Sequence, residues 1–95
     1  MLAKWSDDQE DSGIIFVIEC ILQDKRGILM EITTLLFQMG LSVKSVTTED
    51  IGNNQARDIF TLECNEDDYY IYDRLEARMR FDIKELIDMK LISMT

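Results

Sequence analysis

The sequence contains no histidine and no proline, and only two cysteines and four glycines among 95 residues. Without histidine there is no His-based triad, no imidazole general base and no zinc site that uses an imidazole ligand. Cys20 and Cys64 lie in strand-like runs without metal-ligand spacing; a bridge between them is formally open, and buried free thiols are the plainer reading. Positive charge is scarce as well, with 10 Lys and Arg against 19 Asp and Glu, and the net charge of -9 divides as -3 in each of residues 1–13, 14–65 and 66–95. A surface this acidic repels phosphate backbones and anionic lipid, which argues against direct nucleic-acid binding and against a membrane-surface role. No apolar run approaches the length of a bilayer span. Asp7, Asp8, Glu10 and Asp11 stand where a secretory signal needs an apolar centre, so the expected location is cytoplasmic.

What is present reads as one globular domain, 46% hydrophobic and 31% charged, behind a polar lead-in over residues 1–13 in which Trp5 is the lone large aromatic. From Ile14 to Leu22 every even position is apolar (Ile14, Phe16, Ile18, Cys20, Leu22) and the odd positions Ile15, Val17 and Ile21 are nearly as greasy. The pattern is that of a central strand. Ile28, Leu29, Ile32, Leu35, Leu36 and Met39 then form a helical stripe that ends at Gly40. Met30 and Phe37 fall off that stripe; they point either to a contact with another chain or domain or to a wider core-facing surface.

Leu41 to Asp50 reads as a second strand whose phase shifts near Ser45, as a bulge produces, and residues 51–55 read as a hairpin turn. Arg57 to Asn65 alternates cleanly, with Phe60, Leu62 and Cys64 inward and Ile59, Thr61 and Glu63 outward. Glu66, Asp67 and Asp68 place carboxylates at the start of a second helix, whose buried stripe is Ile71, Tyr72, Leu75 and Met79. Residues 81–85 read as a linker or frayed end. A last strand over residues 86–94 is expected at an edge, with Ile87, Met89 and Leu91 alternating against Asp88 and Lys90.

The order β-α-β-β-α-β predicts an α+β, ferredoxin-like sandwich: a four-stranded antiparallel sheet in the order 4-1-3-2 with both helices on one face. The opposite face carries Ile15, Val17, Ile21 and Ile59, which argues for a partner surface or self-association. Topology does not choose a function. An RNA-recognition surface would need paired aromatics on the open face and basic surroundings, a metal carrier would need cysteines in the first strand-to-helix loop, and an acyl-phosphatase-like site would need a glycine-rich loop around a positioned Arg. None is present. Asp24, Glu49 and Asp50 are plausible surface carboxylates with no nucleophile spaced for them, so the chain is expected to be non-catalytic, without a metal or other cofactor.

The stretch that carries most information is Asp24-Lys25-Arg26-Gly27-Ile28-Leu29, where a strand becomes a helix within four residues. The first N–H groups of such a helix have no intrahelical partner and invite an anion, and Gly27 leaves them approachable. Together with Ile18 to Thr33 and Met39-Gly40-Leu41-Ser42-Val43, this stretch resembles the ACT domain, whose hallmark is a first strand running into Asp-Arg-Pro-Gly-Leu-Leu, a helix with an Ile-Thr step, and Gly-Ile-Asn-Ile into the second strand. The resemblance extends over residues 14–94 and makes residues 14–95 an ACT-like domain. Arg26 stands in place of the usual Pro, and Ser42 where amino-acid-binding members often carry Asn. Within the family the chain is most similar to the C-terminal ACT domain of the long bifunctional (p)ppGpp synthetase/hydrolases (GTP pyrophosphokinases of the stringent response), in which a Trp and a polar stretch precede the first strand, as Trp5 to Gly13 do here.

The resemblance implies a regulatory domain that senses an amino acid at a homodimer seam. Amides around Gly27, Ile28 and Leu29 would hold the ligand's carboxylate, with Asp24 taking its ammonium or capping the helix, and Arg26 and Ser42 nearby. It also implies edge-to-edge pairing through Leu41, Ser42, Val43, Lys44 and Ser45, flanked by Met30 and Phe37, and a neighbouring catalytic domain as the regulated partner. A second reading keeps Asp24 as the helix cap and Gly27 as a packing glycine, leaving a protein-interaction or dimerisation module with no small-molecule ligand.

Overall fold

A computed structural model describes residues 13–64 and 69–95. The expectations placed on Trp5, on the lead-in up to residue 12 and on the carboxylates Glu66, Asp67 and Asp68 lie outside the described residues. The elements follow in the expected order: β1 (Ile14–Gln23), α1 (Ile28–Gln38), β2 (Leu41–Gly52), β3 (Gln55–Cys64), α2 (Ile71–Asp82) and β4 (Leu86–Met94). The four strands form one antiparallel sheet ordered β2-β3-β1-β4, the ferredoxin-like topology.

Alternation fixes which face is buried. In β1 the side chains of Ile14, Phe16, Ile18, Cys20 and Leu22 are all buried, as are Phe60, Leu62 and Cys64 of β3, which share that face by direct cross-strand pairing. The helices close over them with Ile28, Ile32, Leu35 and Leu36 from α1 and Ile71, Leu75 and Met79 from α2. Both cysteines are free and buried, so they act as small core residues. Burial, then the charges of Asp58 and Glu19, pushes the Cys20 thiol up to about 12, which leaves no reactive thiolate at neutral pH.

Several sequence expectations are corrected. Strand β2 runs on to Gly52 and β3 starts at Gln55, so the turn shrinks to Asn53-Asn54, both left-handed at φ 58 and 59. That is the two-residue type I′ hairpin loop, in which asparagine is tolerated. The expected phase shift in β2 is present, between Val43 and Ser45, with Lys44 as the extra residue. Helix α2 continues through Phe81 to Asp82 where a frayed linker was expected. In β4 the inward set is not Ile87, Met89 and Leu91: two bulges set Ile87 and Ile92 aside, so that Leu86, Met89 and Leu91 face Leu22, Cys20 and Ile18. Met30 and Phe37 are 73% and 80% exposed, which rules out the wider core-facing stripe.

The uncovered sheet face is less greasy than its sequence suggests. Ile15 is exposed and Val17, Ile21 and Ile59 are half-buried, but Glu19 sits among them with Arg57 Nε at 2.9 Å and Lys90 Nζ at 3.2 Å. Arg57 Nε makes no hydrogen bond despite that approach, so the contact is an ion pair out of hydrogen-bond alignment. Arg57 also pairs with Glu49 across the β2–β3 ladder. With these charges among the isoleucines and Val17, the face is amphipathic.

The turn into α1 is decided by one residue. Gly27 has φ 81 and ψ 0, and the Ile28 N–H donates to the Lys25 carbonyl at 3.1 Å, the geometry of a type II turn over residues 25–28 with glycine at its third position. Nothing lies within 4 Å of a Cβ built on Gly27, so the glycine is required by backbone conformation and not by close packing.

Two outcomes follow. Gly27→Ala is expected to cost about 1–2 kcal/mol in urea unfolding from left-handed strain alone, with far-UV circular dichroism unchanged. Phe60→Ala, at a fully buried central position, is expected to cost about 3–5 kcal/mol, whereas Glu19→Gln should cost less than about 1 kcal/mol and less still at 1 M salt. Equal losses for the two would contradict this division between core and surface.

Candidate functional site

The junction between β1 and α1 is pinned from both sides. The Asp24 N–H donates to the Asn54 carbonyl of the β2–β3 hairpin at 2.6 Å, and the Gln23 N–H donates to the Glu85 carbonyl of the α2–β4 connection at 2.9 Å. Lys25 reinforces the second tie, with its Nζ 3.0 Å from Glu85 Oε2 and 3.4 Å from Glu31 Oε2. Hydrogen bonding to Glu85 raises the Lys25 pKa, and the same bond lowers that of Glu85. The loop is therefore held at three points in the chain while its own first helical turn stays open.

That turn has no side-chain cap. Ile28 spends its N–H on Lys25 and Glu31 spends its own on Gly27, but among the described residues the N–H groups of Leu29 and Met30 have no backbone or capping partner. Asp24 thus lines the loop without capping the helix, and Gly27 is a turn glycine, so both structural parts of the cap-and-packing reading are corrected. One of the three amides assigned to a ligand, that of Ile28, is already taken.

Beside this turn lies a cavity of about 240 Å³, lined by Asp24, Lys25, Gly27, Ile28 and Leu29 on the junction side and by Leu22, Thr48, Ala56 and Asp58 on the sheet side. At roughly 30 Å³ per water it has room for about eight waters, the scale of a metabolite and below that of most drug-sized pockets. Its chemistry is mixed: an apolar wall, open helix-terminal amides, one lysine and two carboxylates. Among the described residues no group of His, Cys, Asp or Glu is arranged to hold a metal ion.

Of the residues singled out from sequence, Asp24, Gly27, Ile28 and Leu29 come together around the cavity. Arg26 sits exposed at the corner of the turn, outside the lining. Ser42 is not near: it pairs with Glu63 at the beginning of β2, whereas the cavity meets that strand at Thr48. Leu41 is only 4% exposed and belongs to the core, so in an edge-to-edge pairing it could offer backbone alone. Ser42, Val43, Lys44 and Ser45 are exposed, and Lys44 makes an ion pair with Glu63 at 3.3 Å.

Asp58 was missed. It lies on the buried face of β3, 2% exposed, and its Oδ1 has no hydrogen-bond partner. Burial, with a smaller contribution from the charge of Asp24, raises its pKa, and a hydrogen bond from Thr48 opposes the rise in part. The signal was available: carrying the inward phase of Phe60, Leu62 and Cys64 back two residues places Asp58 on the same face.

Comparison with protein-family models finds no match, and neither does comparison with curated protein sequences. Solved structures do match. The ACT domain of the GTP pyrophosphokinase of Chlorobium tepidum superposes with a TM-score of 0.68 at 10% identity, over 85% of this chain and 100% of that domain. The acetolactate synthase small subunit of Thermotoga maritima gives 0.68 at 14% identity over 83% of this chain and 47% of that subunit, so the chain spans about half its length. The C-terminal domain of the MgtC protein of Mycobacterium tuberculosis gives 0.64 at 10% identity, over 82% of this chain and 84% of that domain. At these identities the likeness is one of fold, and the fold of this chain is the one seen in ACT domains.

Proposed function

We propose that this chain is a regulatory, non-catalytic ACT-type domain that binds a small amino acid at the β1–α1 junction and pairs with a second copy through β2. In this reading it regulates a neighbouring cytoplasmic catalytic domain of the (p)ppGpp synthetase/hydrolase kind. The observation that carries the reading is the uncapped first turn of α1, where the unpartnered amide of Leu29 belongs to a residue lining a cavity of metabolite size and that of Met30 follows it in the chain. A carboxylate placed there completes two hydrogen bonds and meets the positive end of the helix dipole. Asp24, exposed on the rim, offers the opposite charge to an ammonium group. Likeness of fold to the Chlorobium ACT domain supports the parentage.

Pairing through β2 has its own support. Strand β2 is an edge of the sheet, and between its two bulges it runs uninterrupted from Ser45 to Asp50, whereas the other edge, β4, runs clean only from Asp88 to Leu91. The middle of β2, Ser45-Val46-Thr47-Thr48, is an uncharged run without the lysine or other charge that usually protects an edge, and the charges of the strand, Lys44, Glu49 and Asp50, stand on either side of it. A twofold that pairs β2 antiparallel to itself about its middle would set Ser45 of one copy opposite Thr48 of the other, where the cavity meets the strand. The exposed side chains of Met30 and Phe37 on α1 favour a second reading, a docking module that contacts another protein without a ligand.

Thermal shift against the twenty amino acids, combined with sedimentation, separates these. An amino acid at about 100 times its dissociation constant should add roughly 2.7 kcal/mol, a rise of roughly 10 °C or more for a domain of this size. Thr48→Pro, which removes an N–H that points away from β3 at the open edge, should shift the sedimenting species toward monomer. A monomeric wild type would contradict the pairing, and no thermal response to any amino acid would leave the docking module.

A further inference from the structure

The carboxylate at the back of the cavity has no role in the binding reading above, and its surroundings make it the most demanding group there. Asp58 is buried to all but 2% and lines the cavity next to Ala56 and Thr48, facing an apolar wall of Leu22, Ile28 and Leu29. Its Oδ1 is without a hydrogen-bond partner among the described residues. The nearest cation in the lining, Lys25, is committed to Glu85 and Glu31 and does not neutralise it. Asp24, the other carboxylate of the cavity, adds repulsion.

We propose that Asp58 selects the ligand, so that the cavity takes an amino acid whose side chain carries a hydrogen-bond donor (hydroxyl, carboxamide or amine) in preference to an aliphatic one of the same shape. The inference rests on the amino-acid reading of the cavity and adds the side-chain chemistry, which that reading leaves open. With the carboxylate end held at the Leu29 and Met30 amides and the ammonium at Asp24 on the rim, the side chain is the part directed inward. An aliphatic group would cut Asp58 Oδ1 off from water and give it nothing in return, whereas a donor would satisfy it. Sites built around a buried polar group discriminate strongly against ligands that leave that group unpaired.

The test is isothermal titration of the full chain with pairs of similar shape: threonine and valine, asparagine and leucine, lysine and norleucine. In the wild type the polar member of at least one pair is expected to bind about 10-fold or more tighter than its aliphatic partner. Asp58→Leu is expected to erase or reverse that ratio, and Asp58→Asn, which keeps an acceptor, to retain part of it. Binding of aliphatic amino acids as tight as that of their polar partners in every pair would overturn the role of Asp58 while leaving the amino-acid site standing. Absence of binding by any of the six, and by the remaining common amino acids, would overturn both. The wild-type ratio decides the matter even where Asp58→Leu fails to fold.

Discussion

A strand that must turn into a helix within four residues, at the end of a sheet, is the constraint from which the rest of this structure follows. The reversal is possible because Gly27 accepts φ 81, closing a type II turn from Lys25 to Ile28 and starting α1 with no residue in position to cap it. Arg26 occupies the second turn position, where proline is favoured for its fixed φ; the chain achieves the same turn without that restriction and anchors it by ties to the hairpin tip and to the α2–β4 connection. Rigidity supplied from outside lets the loop keep its own donors unspent. An uncapped helix start in a fixed frame presents donors of the kind that suit an anion.

The sheet supports that arrangement in two ways. Its covered face is a continuous apolar layer from β1 and β3 against both helices, interrupted among the described residues by Asp58, which lines the cavity. Its bare face is apolar at the periphery and ionic at the centre, where Glu19 lies between Arg57 and Lys90. Bulges at Ile87 and Ile92 break up the β4 edge, while the middle of β2 is left straight. The cavity, the open amides and the straighter edge all lie toward the β2 side of the molecule, the side to which the proposed function assigns both a ligand and a second copy.

Much of this was legible in the sequence, and the reasons differ by element. Strand β1 and helix α1 announce themselves because their apolar periods are unbroken, and the strand order follows from two crossovers that must share a hand. Single-residue insertions are what the pattern hides. In β4 a strict alternation through Ile87, Met89 and Leu91 looks better than the true set, since a bulge moves phase without leaving a mark in composition. The cap assigned to Asp24 failed for a related reason, because Gly27 itself takes the capping position and the aspartate stays one turn short of the helix. Asp58 escaped notice since a charged residue ends an apolar alternation in any reading by composition, although the register carries it onto the buried face. Ser42 illustrates the remaining limit: its place after Gly40 and Leu41 puts it at the start of β2, and the register keeps it there, well away from the cavity residue Thr48.

The open donors are the central claim, and backbone amide hydrogen exchange read residue by residue by NMR tests it most directly. In the free protein Leu29 and Met30 should exchange much faster than Glu31, whose N–H is bonded to Gly27; with a bound amino acid they should slow by about 10-fold or more while Ile28, already bonded to Lys25, changes little. Leu29 and Met30 amides that are protected in the free protein to the same degree as the interior of α1, or that stay fast with the ligand bound, would contradict the account.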